Sequence, residues 1–159
     1  MGIRNRDLSM RKIRKITENI WFFIPLVIAL LLIPIPIEDF LSEYPFLRSF
    51  QWYIYWRGAF ISLLIWLVTG IMYSFNEKKT EKLLWGSLFS FLFFHYLTLF
   101  IIFINGYKVQ LYPFIYTISN ISNKFYTSYL DTGQILFLLT LIFSEKTKNI
   151  LYKIKNNLF

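Results

Sequence analysis

Long uncharged runs, separated by short polar or charged segments, dominate this chain. A run of about 18 to 25 apolar residues is long enough for a helix to cross the hydrocarbon core of a bilayer. Three uninterrupted runs meet that length: residues 20–37, 58–75 and 83–104. Each is predicted to be a transmembrane helix, and the prolines at 34 and 36 are predicted to end the first one.

A fourth apolar run, residues 132–143, is too short to span a bilayer alone. Extended back to Phe125 it has 19 residues, with Asp131 inside it. The pattern therefore predicts an all-α membrane protein, a four-helix transmembrane bundle that forms one domain over residues 1–159, with its fourth span at 125–143.

Basic residues are distributed unevenly around these runs. Residues 1–19 hold six Lys and Arg, the loop after the second span holds three, and residues 144–159 hold four, whereas the other two loops together hold four. Positively charged flanks stay in the cytoplasm. Both basic tails and the loop after the second span are therefore predicted to be cytoplasmic, in a multi-pass protein of the bacterial inner membrane.

The first run also has the basic flank and apolar core of a secretory signal peptide. Its continuation, PIPIEDF at 34–40, lacks the small-x-small pattern of a cleavage site. The first span is therefore interpreted as an uncleaved signal anchor.

Composition narrows the function mainly through what is missing. Hydrophobic residues make up 56% of the chain and aromatic residues 21%, an excess that favours lipid as the solvent. There is no cysteine and a single His, which excludes thiol chemistry and, within one protomer, a multi-His metal site. No phosphate loop, Gly-x-Ser-x-Gly elbow or His-Glu-x-x-His motif is present. The chain is predicted to be no enzyme and to bind neither cofactor nor metal.

The net charge of +8 could suggest nucleic acid in a soluble protein. Here the basic segment RKIRK at 11–15 is explained by membrane orientation, since each basic residue near an anionic leaflet contributes about 1 kcal/mol. Membrane lipids, and not nucleic acid, are the expected partners of the tails.

The third loop, residues 105–124, is too apolar and aromatic for a simple solvated connection. Its opening Asn-Gly pair is a turn signal. Val109 and Leu111 alternate with polar residues, as they would in a strand. An interfacial amphipathic element, a segment packed on the bundle and a short strand pair are all compatible with residues 107–121.

Three polar residues within the predicted spans are candidate partner contacts. His95 lies near the middle of the third span, where an ionisable group is a functional candidate by default. As a neutral imidazole it could equally hydrogen-bond to a neighbouring helix. Asp131 and Gln134 lie three residues apart, on one face of the fourth span. Asp131 is expected near the outer interface with a hydrated carboxylate, as a helix start, an exposed anchor or a partner contact.

Arg57 and Gly58, at the head of the second span, are the other candidates. Arg57 would extend to the outer headgroups or pair with Glu38, Asp39 or Asp131 across the outer rim. Gly58 belongs to a set of small residues that allow close helix approach, either to a partner or within the bundle. The set comprises Gly58, Ala59, Ser62, Thr69 and Gly70 on the second span and Gly86, Ser87 and Ser90 on the third.

Two sequence features add to this topology: the Tyr-rich approach QWYIYWRGAF at 51–60 and the short charged loop NEKKTEK at 76–82. Together with four spans and basic tails, this layout resembles the colicin A-like immunity proteins, which protect bacteria from pore-forming colicins. The resemblance implies that the partner is the pore-forming domain of a bacteriocin. It also implies that helix packing and matching outer loops block channel opening as the toxin's helical hairpin inserts.

The expected function is therefore the binding of another membrane protein without catalysis, and specifically immunity against a pore-forming bacteriocin. Two alternatives use the same topology. One is a small oligomeric transporter or channel subunit, with His95 and Asp131 lining its path. The other is an accessory subunit of a larger membrane complex.

Overall fold

The computed structural model describes residues 20–36, 49–120 and 125–144. This part of the chain contains four helices and three strands. The helices are α1 (Ile20–Leu32), α2 (Tyr53–Phe75), α3 (Glu77–Ile104) and α4 (Thr132–Phe143). The strands are β1 (Lys108–Tyr112), β2 (Ile115–Asn120) and β3 (Phe125–Leu130), and they lie between α3 and α4.

Helices α2 and α3 form an antiparallel hairpin joined by the single residue Asn76. Asn76 is extended, with φ −148° and ψ 77°, so it breaks the helical path. The hydroxyl of Thr80 donates to the Asn76 carbonyl at 2.6 Å, which stabilises the first turn of α3. The two predicted spans at 58–75 and 83–104 are confirmed as helices, and each extends towards its N-terminus beyond the predicted bounds.

Small and hydroxyl residues form the contact between α2 and α3. Ser62 lies 2.8 Å from Ser90, and Thr69 lies 2.9 Å from Ser87, measured between hydroxyl oxygens. All four side chains are buried. A buried hydroxyl needs a hydrogen-bond partner because no water reaches it. Here the partner is a hydroxyl of the other helix, so these bonds fix the register of the two helices. These four of the small residues identified in the sequence therefore pack within the bundle.

Helix α1 packs against α3 through an unusually close backbone approach at Gly86. A Cβ atom at Gly86 would overlap the carbonyl oxygen of Phe22. The ring of Phe22 also lies 5.6 Å from that of Phe89, between centroids, and Ala29 is completely buried in the core. Helix α1 ends at Leu32, ahead of the two prolines and five residues before the predicted bound at 37.

Residues 108–130 form a three-stranded antiparallel sheet in the order β1-β2-β3. Between β1 and β2, Tyr112 pairs with Ile115. Between β2 and β3, Asn120 pairs with Phe125. The strand-pair alternative for the third loop is therefore confirmed. The all-α prediction is wrong, because the structure adds this sheet to its helices.

The predicted fourth span is wrong in its first third. Residues Phe125–Leu130 are the strand β3, and the helix begins only after Asp131. The segment FYTSYL is rich in aromatic and β-branched residues, which fit a pleated sheet, and β2 supplies the backbone partners for it. The 12 residues of α4 rise roughly 18 Å, which is too short for a bilayer core of about 30 Å.

Two helices are long and apolar enough to cross a membrane: Tyr53–Phe75 and Thr80–Ile104. Helices α1 and α4, as described, are shorter, so a bundle of four complete spans is not shown. Trp66 of α2 donates to Thr140 of α4 at 3.0 Å, and this pair holds α4 against the hairpin. The predicted basic tails lie outside the described residues, apart from Ser144 at the start of the second.

Candidate functional site

Asp131 is the centre of a buried polar cluster where β3 meets α4. Its side chain accepts a hydrogen bond from the backbone N–H of Gln134 at 3.1 Å, which makes it the N-cap of α4. Its own N–H donates to the carbonyl of Phe114 at 2.8 Å. The predicted helix start at Asp131 is confirmed.

The carboxylate of Asp131 is surrounded by donors and has no exposed surface. The hydroxyl of Tyr96 donates to Oδ2 at 3.2 Å, and Nε2 of Gln134 donates to the same oxygen at 3.0 Å. Nε2 of His95 lies 3.3 Å from Oδ1. The expectation of a hydrated, exposed carboxylate is wrong. His95 precedes the end of α3 by nine residues, or roughly 14 Å of helix, so Asp131 reaches well below the end of that helix.

His95 is held by rings as well as by Asp131. Its imidazole stacks on Phe91 at 5.5 Å and 16°, and Tyr116 of β2 meets it edge-on at 5.9 Å. The Nε2–H direction is not aligned with the carboxylate, and this buried nitrogen has no hydrogen-bond partner among the described residues. The His95–Asp131 contact is therefore electrostatic. It joins α3 to the start of α4, which was one of the two alternatives for His95.

Gln134 connects α4 to the turn between β1 and β2. Its Nε2 donates to the carbonyl of Tyr112 at 3.2 Å, and its Oε1 accepts from the N–H of Phe114 at 2.9 Å. Phe114 has φ 63°, a left-handed conformation that costs a bulky residue about 1 kcal/mol or more. One amide side chain thus satisfies both sides of a strained turn.

Replacing Gln134 with leucine is expected to loosen this turn while α4 persists. The Phe114 amide would lose its only acceptor among the described residues, and one hydrogen bond contributes about 1 kcal/mol. Amide hydrogen exchange at Phe114 should accelerate about fivefold to tenfold, because 1.4 kcal/mol corresponds to a factor of ten. Exchange of the amides in the middle of α3 is the internal control. Equal exchange at Phe114 in both proteins would contradict this role for Gln134.

Arg57 and Gly58 lie away from this cluster, at the contact between α1, α2 and α3. Nη1 of Arg57 donates to the carbonyl of Ile33 at 2.8 Å, just beyond the end of α1, and its guanidinium lies 5.2 Å from the ring centre of Tyr53. Arg57 is buried and is not extended towards headgroups. Of its predicted partners, Glu38 and Asp39 lie outside the described residues.

Gly58 is in contact with the ring of Phe94, since a Cβ atom there would lie 2.6 Å from that ring. It therefore provides close approach within the α2–α3 hairpin. Of the five predicted contacts, the structure brings together His95, Asp131 and Gln134. Whether any of the five touches a partner stays a prediction.

Sequence reasoning missed two members of the cluster. Tyr96 directly follows His95, about 100° further around the helix, yet both reach Asp131 because the carboxylate lies between them. The turn at Tyr112–Phe114 contributes backbone groups, which carry no sequence signature. The one available signal was the adjacent pair His-Tyr, in a span whose other hydroxyl side chains are those of Ser87, Ser90 and Thr98.

The described residues contain no group of three or more His, Cys, Asp or Glu placed to hold a metal ion. The cluster around Asp131 can position the sheet against the helices. It also forms the polar edge of the space between the sheet and the helices. No protein-family model, no curated protein and no solved structure matches this chain.

Proposed function

We propose that this chain is a non-enzymatic protein of the bacterial inner membrane that binds another membrane protein through its sheet. We further propose that it is an immunity protein against a pore-forming bacteriocin. The observation that carries the proposal is the exposed apolar surface of the sheet. By the strand register, the large exposed side chains Tyr112, Ile115, Tyr126 and Leu130 lie on one face, whereas Leu111 and Tyr129 lie on the other face.

Exposing such an apolar patch to water is energetically unfavourable, so a partner that covers the patch is expected. Tyr126 and Leu130 are each 66% exposed on β3, and Tyr112, which lies on the same face of the sheet, is 48% exposed on β1. Contiguous exposed apolar surface marks sites of protein or membrane contact. Strands β1 and β3 are also the two edges of the described sheet, and sheet edges offer unpaired backbone groups to a further strand.

The membrane setting is supported by the outward surface of the hairpin. Val68, Ile71 and Phe75 of α2 are 57%, 63% and 87% exposed, a pattern suited to lipid contact. The lysines flanking Asn76 favour the cytoplasm for that end of the hairpin. The sheet then lies on the outer side, where an inserting toxin arrives.

Recognition of this kind requires shape and a few polar contacts, not reactive groups. The transporter alternative would need His95 and Asp131 to line a path. Asp131 is instead enclosed by Tyr96 and Gln134 and has no exposed surface. The geometry therefore favours a binding protein.

The test is protection of cells that express the chain. Cells are challenged with a panel of pore-forming bacteriocins, including any toxin encoded beside its gene. The wild-type chain should protect against one of them. The double variant Tyr112→Lys/Tyr126→Lys, which places two charges on one face of the sheet, should lower the tolerated toxin concentration at least about tenfold, since losing about 1.4 kcal/mol of binding has that effect.

Asn105→Lys provides the matched control. Asn105 is exposed at the end of α3 and lies outside the sheet, so the added charge there should preserve protection. Immunoblots of membrane fractions would establish equal amounts of each protein. Absence of protection from every toxin would remove the proposal, and full protection by the double variant would remove the sheet as its binding surface.

A further inference from the structure

A cavity of about 500 Å³ lies between the hairpin and the sheet, within the size range of small-ligand sites. Its walls are mostly apolar. Its aromatic lining consists of Trp52, Trp56, Phe60, Phe91, Tyr116 and Tyr129. Burial raises the pKa of Tyr116, and the neighbouring Tyr129 and Asp131 raise it further, so this phenol is neutral.

His95 contributes an imidazole to this lining. The other polar side chains there are those of Thr98, Thr132, Tyr116, Tyr129, Trp52 and Trp56. The Cδ2 side of its ring faces the start of α4, 3.0 Å from the position of a Cβ on Gly133, and Nε2 on the same side faces Asp131. The opposite side of the ring carries Nδ1. His95 also lines the cavity, and Nδ1 is the ring nitrogen that does not face Asp131.

The proton on His95 is placed by its neighbour. A carboxylate beside one imidazole nitrogen favours the tautomer with the hydrogen on that nitrogen. Nε2 therefore carries the hydrogen, and Nδ1 is an acceptor. No described residue makes a hydrogen bond with Nδ1. The hydroxyl of Thr98, also in the lining, already donates to the carbonyl of Phe94 at 2.8 Å.

The occupant must therefore be largely apolar and must offer one donor. A lipid acyl chain has no donor. An ionic group would lack a countercharge, because no charged residue in the described part of the chain lines the cavity and the Asp131 carboxylate has no exposed surface. An indole or phenol ring satisfies both requirements, and Trp and Tyr are the side chains that most often anchor protein interfaces in buried pockets.

We propose that this cavity receives a tryptophan or tyrosine side chain of the partner membrane protein, whose N–H or O–H donates to Nδ1 of His95. The inference rests on the proposed function, since it names how the partner docks. The binding chemistry itself is measurable without the partner.

The probes are 5-fluoroindole and 5-fluoro-1-methylindole, which differ in the N–H donor. Each is titrated with the full chain in phospholipid nanodiscs and observed by fluorine NMR. The first should bind saturably and at least about tenfold more tightly than the second, because a buried acceptor left without its donor costs 1 to 3 kcal/mol. Equal affinity for the two probes would overturn the proposal. So would the absence of saturable binding of either probe, which is the result expected if an acyl chain fills the cavity.

Two variants locate the site. His95→Phe keeps a ring to stack on Phe91 but removes Nδ1, so both probes should bind with equal affinity. Thr132→Trp, at an exposed position of the lining, should close the cavity and abolish binding. Ser128→Trp, exposed on β3 and outside the lining, is the matched control and should bind as wild type. Unchanged binding to the Thr132→Trp protein would place the probe elsewhere and refute the assignment.

The same variants separate this inference from the proposed function. If His95→Phe and Thr132→Trp cells keep full protection against the toxin, the function stands and the docking site is wrong. If the probes bind as expected but no toxin is resisted, the cavity chemistry stands and the immunity function is wrong.

Discussion

Replacing Asp131 with alanine is expected to lower the free energy of unfolding by about 3 to 5 kcal/mol. The change removes the acceptor for the Tyr96 hydroxyl and for both N–H donors of Gln134, backbone and side chain. Tyr96 and Gln134 are only partly buried, but the carboxylate position that their donors face has no exposed surface. The loss of the helix cap alone costs about 1 kcal/mol. Reversible unfolding of the purified protein in mixed detergent and SDS micelles measures the difference.

Asn in place of Asp131 should cost less than half as much, because its amide oxygen still accepts one bond and caps α4. Ser128→Ala, on the exposed side of the adjoining strand, should stay within about 0.5 kcal/mol of wild type. A loss below 1 kcal/mol for Asp131→Ala would mean that water reaches these donors, and the buried network would then be an incorrect description.

Adding one methyl group at Gly86 is expected to displace α1 from the hairpin. The new Cβ would overlap the carbonyl oxygen of Phe22, and a backbone atom cannot move aside as a side chain can. We expect Gly86→Ala to cost about 3 kcal/mol or more, even though alanine adds about 1 kcal/mol of helix propensity. The same micelle unfolding assay measures this change.

Gly70→Ala is the matched control for that experiment. Gly70 is also within a helix, but a Cβ there would meet only Leu84, at 4.0 Å, an ordinary van der Waals contact. This variant should be neutral or more stable by up to about 1 kcal/mol. If both glycine variants behave alike, helix propensity alone controls the effect, and the close approach of α1 to α3 is not a feature of the folded protein.

The helical hairpin shows how far local patterns extend. The runs at 58–75 and 83–104 predicted α2 and α3 because an uncharged stretch of that length has one stable form in lipid, a helix with its backbone bonds satisfied internally. The ends of two helices were also predicted by the local sequence. The two prolines after Leu32 marked the end of α1, since proline cannot continue a helix, and the Asn-Gly pair marked the end of α3, where Gly106 has φ 88°.

Residues 125–130 show where local patterns fail. The segment FYTSYL is apolar enough to extend a helix and rich enough in aromatic residues to form a strand. Hydrophobicity alone therefore does not distinguish a helix from a strand here. Pairing with β2 along all six residues decided it. That pairing depends on β2, a strand that the sequence pattern of residues 125–130 does not reveal.

The sequence by itself determined the hairpin helices, the turn after α3 and the small residues at which helices meet, because these depend on residues close together in the chain. Tertiary structure decided the sheet, the short α4 and the burial of Asp131. The reason is that a strand, or a buried carboxylate, is stable only when its partners arrive from elsewhere. For Asp131 those partners are His95 and Tyr96, thirty-five residues or more away in the chain. No local sequence pattern predicts a contact over that separation.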